Sequence, residues 1–164
     1  MSKCDSMVVG LPGEISEKYS YGGCVWLALA LHDLYGWQIV AQIERDPSAW
    51  VAHAFVRRPD GCEVDVLGVQ GQVDIFSPEE ATFSRGDFVR FLAKSNGVSV
   101  GDIEREYLTE KPAALRCIER YLWPAFAKEN RLNPGPKRRT PAILRHCVAK
   151  VAPTRGVSGA YAIC

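Results

Sequence analysis

The sequence predicts an α+β domain in which a buried helix packs on a small antiparallel sheet and further helices fill the C-terminal half. Three observations predict it. Residues 24–35 are apolar on nearly every helical face, residues 38–68 hold three strand-like stretches separated by turn signals, and from residue 84 onward apolar positions recur at helical spacing. A chain of 164 residues, 47% hydrophobic and 24% charged, has the length of one domain with a core of its own. Within residues 1–164, residues 20–70 form the α+β unit, 78–130 a helical part, and 131–164 a basic loop and C-terminal segment.

Each element has a local reason. Residues 1–20 are mixed, with Gly10-Leu11-Pro12-Gly13 as a turn. Gly22-Gly23 then interrupts the chain before the helix 24–35, and Gly36 is suited to a left-handed cap at its end. A helix without a polar stripe belongs at the centre of a fold. Residues 38–43 read as a strand, and Asp46-Pro47-Ser48 as a turn. Residues 50–58 and 62–68 read as a hairpin around Pro59-Asp60-Gly61. With a three-residue loop, Arg58 faces Cys62, Phe55 faces Asp65 and His53 faces Leu67. Alternation then puts Ala52, Ala54, Val56, Val64 and Val66 on an apolar face, and His53 and Asp65 together on the other. Shifting that register by one residue would separate the two polar groups. Helices are expected over 84–93, 100–108 and 112–128, with Ser99 as an N-cap and Pro112 in a first turn. A short helix over 141–151 and an irregular end from Pro153 complete the reading.

Composition narrows the function classes. A formal net charge of +1 argues against a general polyanion binder, and so against nucleic acid. The cluster Lys137-Arg138-Arg139 lacks interleaved aromatic residues and reads as a solvated loop. Met1-Ser2-Lys3-Cys4-Asp5-Ser6 leads only into the short apolar patch Met7-Val8-Val9, and His32 and Asp33 break the longest apolar run. The expectation is therefore a cytoplasmic protein with no signal peptide and no membrane partner, although leaderless export or injection leaves no readable mark. Six scattered cysteines in a chain of this size predict free thiols rather than disulfides, and without a CxxC pair they predict no zinc site. Cys62, Cys117 and Cys147 read as small core residues, and Cys4 and Cys164 as silent terminal ones. No metal or organic cofactor is implied.

The chemistry-bearing residues are Cys24, His53 and Asp65, in that order within the first half of the chain. Cys24 opens the buried helix, where unpaired N–H groups and the helix dipole favour negative charge on sulfur and can also receive an oxyanion. Gly22 and Gly23 leave room for close substrate approach, and Tyr21 and Trp50 are placed to line a cleft. His53 serves as the base that takes the thiol proton, and Asp65 holds the imidazole and stabilises its charged form. His32 lies eight residues beyond Cys24 on the same helix, roughly 12 Å away, too far to touch the sulfur. His146 has no nucleophile at a known spacing. Asp60 is explained by its turn, and Glu63 is the alternative orienter on the same face as Asp65. Trp26, Trp37 and Trp123 suit core or groove lining.

At Gly22-Gly23-Cys24-Val25-Trp26 and the strand pair carrying His53 and Asp65, about a third of the chain, the sequence resembles the papain-like cysteine hydrolase superfamily in its broad sense. The order and compactness are more similar to the transglutaminase-like and cell-wall-peptidase-like branches than to papain itself. The resemblance implies a nucleophile helix on a small antiparallel sheet, with Cys24 as nucleophile, His53 as base and Asp65 as orienter. The chain departs from it in having Gly23-Cys24-Val25 where the cell-wall-peptidase branch has Asp-Cys-Ser. No glutamine precedes Cys24 to complete an oxyanion hole, which leaves Ser20, Tyr21 or the backbone. The expected function is cleavage of an amide bond in a protein or peptide, as a peptidase, amidase or deamidase, with acyl transfer as related chemistry. The alternative is a catalytically inactive papain-like fold that binds another protein as a phage or mobile-element accessory factor.

Overall fold

The computed structural model describes residues 7–45, 48–70 and 79–124. The chain is mixed helix and antiparallel sheet. In order it forms β1 (Met7–Val8), α1 (Gly13–Ser20), α2 (Cys24–Tyr35), β2 (Gln38–Glu44), β3 (Trp50–Arg57), β4 (Glu63–Asp65), β5 (Gly68–Gln70), β6 (Glu79–Phe83), α3 (Arg85–Asn96) and α4 (Val100–Cys117). A π-helical segment, Ile118–Leu122, continues α4. The six strands form one sheet in the order β1-β5-β4-β3-β2-β6, every pairing antiparallel.

The all-apolar sequence of α2 dictates its place. Leu27, Ala28, Leu29, Ala30 and Leu31 are each no more than 2% exposed, as only a helix covered on every side can be. Its floor is the sheet face carrying Ile39, Ala41, Ala54, Val56 and Val64, and its roof is built by α1 and α4. Each fully buried leucine contributes about 1.5–3 kcal/mol to the fold. The polar last turn is tied down separately. His32 Nδ1–H donates to the Trp37 carbonyl at 2.6 Å, and Gly36 closes the helix in the left-handed conformation. Asp33 links three helices. Its carboxylate accepts from Arg85 Nε (3.1 Å) on α3 and from Tyr107 Oη and Lys111 Nζ (both 2.7 Å) on α4.

The hairpin register follows the three-residue loop. Val56 pairs Val64, Arg57 pairs Glu63, and the Arg58 N–H donates to the Cys62 carbonyl at 2.8 Å. Beyond Asp65 the structure departs from the expected strand over 62–68. The chain reverses at Val66-Leu67, and Asp65 pairs Gly68 within a second hairpin, so His53 has no Leu67 opposite it. An Asp followed three residues later by Gly is a turn signal that the apolar Val66-Leu67 pair conceals.

Other elements differ as well. Residues 13–20 form a helix, with Pro12 just before its first turn, and 79–83 join the sheet beside β2 instead of belonging to a helical part. Ser99 caps α4 in a reciprocal box with Asp102, and Ser84 caps α3. α4 does not restart at Pro112 but runs through it. Pro112 and Leu108 both lie on the exposed side, where a carbonyl deprived of its helical donor meets water. Cys62 is disulfide-bonded, with neither Cys24 nor Cys117 as its partner, which corrects its reading as a free core thiol. Scatter along the sequence says nothing about separation in space, and separation in space decides pairing. Among the described residues no helix is long and apolar enough to cross a membrane. The expected helix over 141–151, His146, the Lys137-Arg138-Arg139 loop, and Cys4, Cys147 and Cys164 lie outside the described residues.

Replacing Asp33 by alanine leaves Arg85, Tyr107 and Lys111 short of a shared acceptor in a half-buried site. Urea unfolding should show a loss of about 2–4 kcal/mol, with Asp33→Asn losing less because it still accepts hydrogen bonds.

Candidate active site

Cys24 is the first residue of α2 and is 3% exposed. Two glycines set it there. Gly22 has φ of +78°, a turn conformation that side-chain-bearing residues resist. At Gly23 an added Cβ would lie 2.4 Å from the Lys18 carbonyl oxygen, so the end of α1 abuts the start of α2 directly. Both glycines thus have a structural requirement of their own. The first intrahelical bonds run from the Trp26 and Leu27 N–H groups to the Gly23 carbonyl. The N–H groups of Cys24 and Val25 precede them, in the orphan positions of a helix start.

His53 sits at a bulge in the sheet. Gln42 pairs His53, but the next pair is Ile43 with Val51, so Ala52 is an extra residue on β3. Ala54 and Val56 face the core under α2; His53 and Phe55 therefore face the opposite side, their rings 5.9 Å apart. A bulge bends its strand and re-aims the neighbouring side chain. His53 Nε2–H donates to Asp65 Oδ2 at 3.2 Å. Cys24 lies near enough to the ring to favour its charged form. The imidazole is thus held by the carboxylate and has the thiol in its neighbourhood.

The electrostatics follow from that placement. Burial disfavours the imidazolium. The hydrogen bond with Asp65, the nearby Cys24 side chain and the negative charge they supply outweigh burial and push the His53 pKa up from 6.5 to about 9. Asp65 does two jobs. Oδ2 holds His53, while Oδ1 accepts from the Leu67 N–H at 2.7 Å and from Gln70 Nε2 at 3.3 Å, closing the turn that ends β4. The rival orienters are engaged elsewhere. Glu63 accepts from Arg57 at 2.6 Å, and Asp60 accepts from Arg58 and from the Cys62 N–H within its own turn.

A pocket of about 190 Å³ opens beside the imidazole, lined by Gln42, Phe55, Glu63, Leu67 and Gln70 together with His53 and Asp65. Cys24, Tyr21 and Trp50 do not line it. Tyr21 and Trp50 are on the surface, 81% and 40% exposed. Gln42 and Gln70 escape sequence reasoning because each reaches the site through a pairing the sequence leaves open: the bulged β2–β3 register and the reversal after Asp65. Among the described residues no group of three or more His, Cys, Asp and Glu side chains is placed to hold a metal ion. No protein family, curated protein or solved structure matches the chain.

The raised pKa of His53 makes stability pH-dependent in a definite sense. The folded state holds the imidazole proton more tightly than the unfolded chain, so this contribution is complete below about pH 6.5 and is lost as pH rises through about 9. Wild-type stability minus that of His53→Gln should fall by at most about 3 kcal/mol across that window, measured by denaturant unfolding at each pH. Replacements of Asp65 separate its two jobs. Asp65→Asn should keep the turn but lower the His53 pKa in an NMR titration, whereas Asp65→Ala should lower that pKa and also cost about 1–3 kcal/mol of stability.

Proposed function

We propose that the protein is a cysteine-dependent hydrolase of amide bonds in a protein or peptide, with Cys24 as nucleophile, His53 as acid and base, and Asp65 as the residue that orients the ring. The observation that supports this reading is the hydrogen bond of the His53 imidazole to Asp65, with the helix-start thiol of Cys24 near enough to favour the charged ring. The α2 helix on an antiparallel sheet is in keeping with the broad papain-like arrangement, which we adopt as part of the proposal.

In this mechanism His53 takes the thiol proton of Cys24, and sulfur attacks the amide carbon. The developing oxyanion is met by the Cys24 and Val25 N–H groups. The carbon–nitrogen bond breaks as His53 passes its proton to the departing amine, leaving a thioester on Cys24. Neutral His53 then takes a proton from water. The resulting hydroxide attacks the thioester, the carbon–sulfur bond breaks, and the acid product leaves with sulfur and imidazolium restored. Asp65 stabilises the imidazolium and fixes which ring nitrogen faces sulfur. Above about pH 9 the imidazolium loses its proton, and amine departure loses its acid.

A second reading is favoured by one observation: Cys24 is 3% exposed and does not line the pocket beside His53. On that reading the three groups form an internal link in an inactive fold that serves as a protein-binding accessory factor.

Iodoacetamide distinguishes the two. If the hydrolase reading holds, mass-spectrometric mapping at pH 7.5 should show Cys24 alkylated at least about a hundredfold faster than Cys117, whose thiol pKa burial pushes up to about 11. His53→Gln should slow the Cys24 reaction, and Cys24→Ala should abolish cleavage of any amide substrate found in a peptide panel. Equal, slow labelling of both thiols, unchanged in His53→Gln, would support the inactive reading.

A further inference from the structure

Two carboxylates share the pocket beside His53. Asp65 and Glu63 both line it, and both come from β4. Alternation puts them on one face of the sheet, the face that also carries His53, Phe55 and Arg57 of β3. Asp65 takes the imidazole at 3.2 Å, and its other oxygen is committed to the turn after β4. That bond is long for a charge-assisted one, so a second free carboxylate in the same pocket would compete for the ring.

Arg57 prevents the competition. It stands directly opposite Glu63 in the β3–β4 register. Its Nη2 donates to Glu63 Oε1 at 2.6 Å and to Glu80 Oε2, on β6, at 3.0 Å. Glu80 pairs Gln42, which in turn pairs His53, so a guanidinium rooted four residues along β3 is drawn back across the sheet toward the row of the imidazole. It reaches within 5.9 Å of the centre of the Phe55 ring, which is itself stacked with the His53 ring. The Glu63 side chain is only 14% exposed, so its charge is costly without a partner, and a guanidinium supplies one at every working pH. Among the described residues, the other groups that bear on the ring are Asp65 and Cys24 of α2, while β2 and β5 contribute the neutral amides of Gln42 and Gln70.

We propose that Arg57 is a positioning residue of the candidate site: it withholds Glu63 from His53 and so leaves Asp65 to orient the ring. Its consequence for catalysis rests on the hydrolase reading. A second carboxylate free in the pocket would draw the imidazole from its alignment with Asp65 and hold its proton more tightly, and such a proton passes less readily to a departing amine. Glu80 acts one step further out, as the second anchor of the guanidinium.

The test is a double-mutant cycle read by NMR titration of the His53 ring in the full chain, its resonance assigned by loss in His53→Gln. Glu63→Gln alone should lower the His53 pKa by less than about 0.3, because Arg57 already neutralises that carboxylate. Arg57→Gln should raise it by about 0.5 or more, and Glu63→Gln added to Arg57→Gln should lower it again by about 0.5 or more. Arg57→Met, which removes the charge but keeps an apolar stem beside Phe55, should act as Arg57→Gln does. Arg57→Lys, which keeps a cation on Glu63, should leave the pKa within about 0.3 of the native value. An unchanged pKa in Arg57→Gln, an equal effect of Glu63→Gln with and without Arg57, or a rise in Arg57→Lys as large as in Arg57→Gln would overturn the proposal. The titration involves neither substrate nor a reactive thiol, so its outcome is separate from that of the iodoacetamide labelling.

Discussion

Everything in this fold answers to the need to enclose α2. From Cys24 to Leu31 only Trp26 departs from full burial, so no side of this stretch can be left to water. The sheet supplies one wall, and α1 and α4 supply the others. The polar residues of the last turn then become fixed points. His32 secures the exit to β2, and Asp33 gathers one cation from α3 and a cation and a phenol from α4. Apolar burial supplies most of the stabilisation, and the Asp33 network supplies the alignment of the helices, because a half-buried carboxylate is costly unless its partners arrive in one geometry.

Enclosing the helix also brings Cys24 to the sheet. Its position at the helix start is set from outside by Gly22 and Gly23, which let α1 end against α2 with no side chain between them. On the sheet side a bulge interrupts the regular alternation of β3 next to His53. The ring thereby relates to both a core-side thiol and an outer-face carboxylate. These are separate local devices, a steric exclusion and an extra residue in a strand, and neither belongs to the hydrophobic pattern that makes the fold.

That difference explains how much was legible in advance. The α+β class, α2 with its Gly36 cap, the Ser99 cap, and the register linking Arg58 to Cys62 all rest on local chemistry or on periodicity, and they can be read from consecutive residues. The placement of His53 near Asp65 follows from that register. The bulge at Ala52, the reversal after Asp65, the strand at Glu79–Phe83 and the disulfide at Cys62 depend on which distant segments meet, and a single sequence carries no such term. Pro112 misleads for a related reason. A proline marks a helix boundary only where the bond it removes cannot be replaced by solvent, and exposure is a property of the packed molecule.

Asp65 ties the ring to the architecture. One oxygen closes the reversal between β4 and β5 and the other holds the imidazole, so the same carboxylate answers to both chain direction and proton position. A chain in which the thiol did no chemistry would still be pressed to keep the acid, or at least an amide, to preserve the bend. The persistence of this residue among relatives would therefore be poor testimony for activity, and the fate of the sulfur at position 24, which closes no turn, would be the better witness.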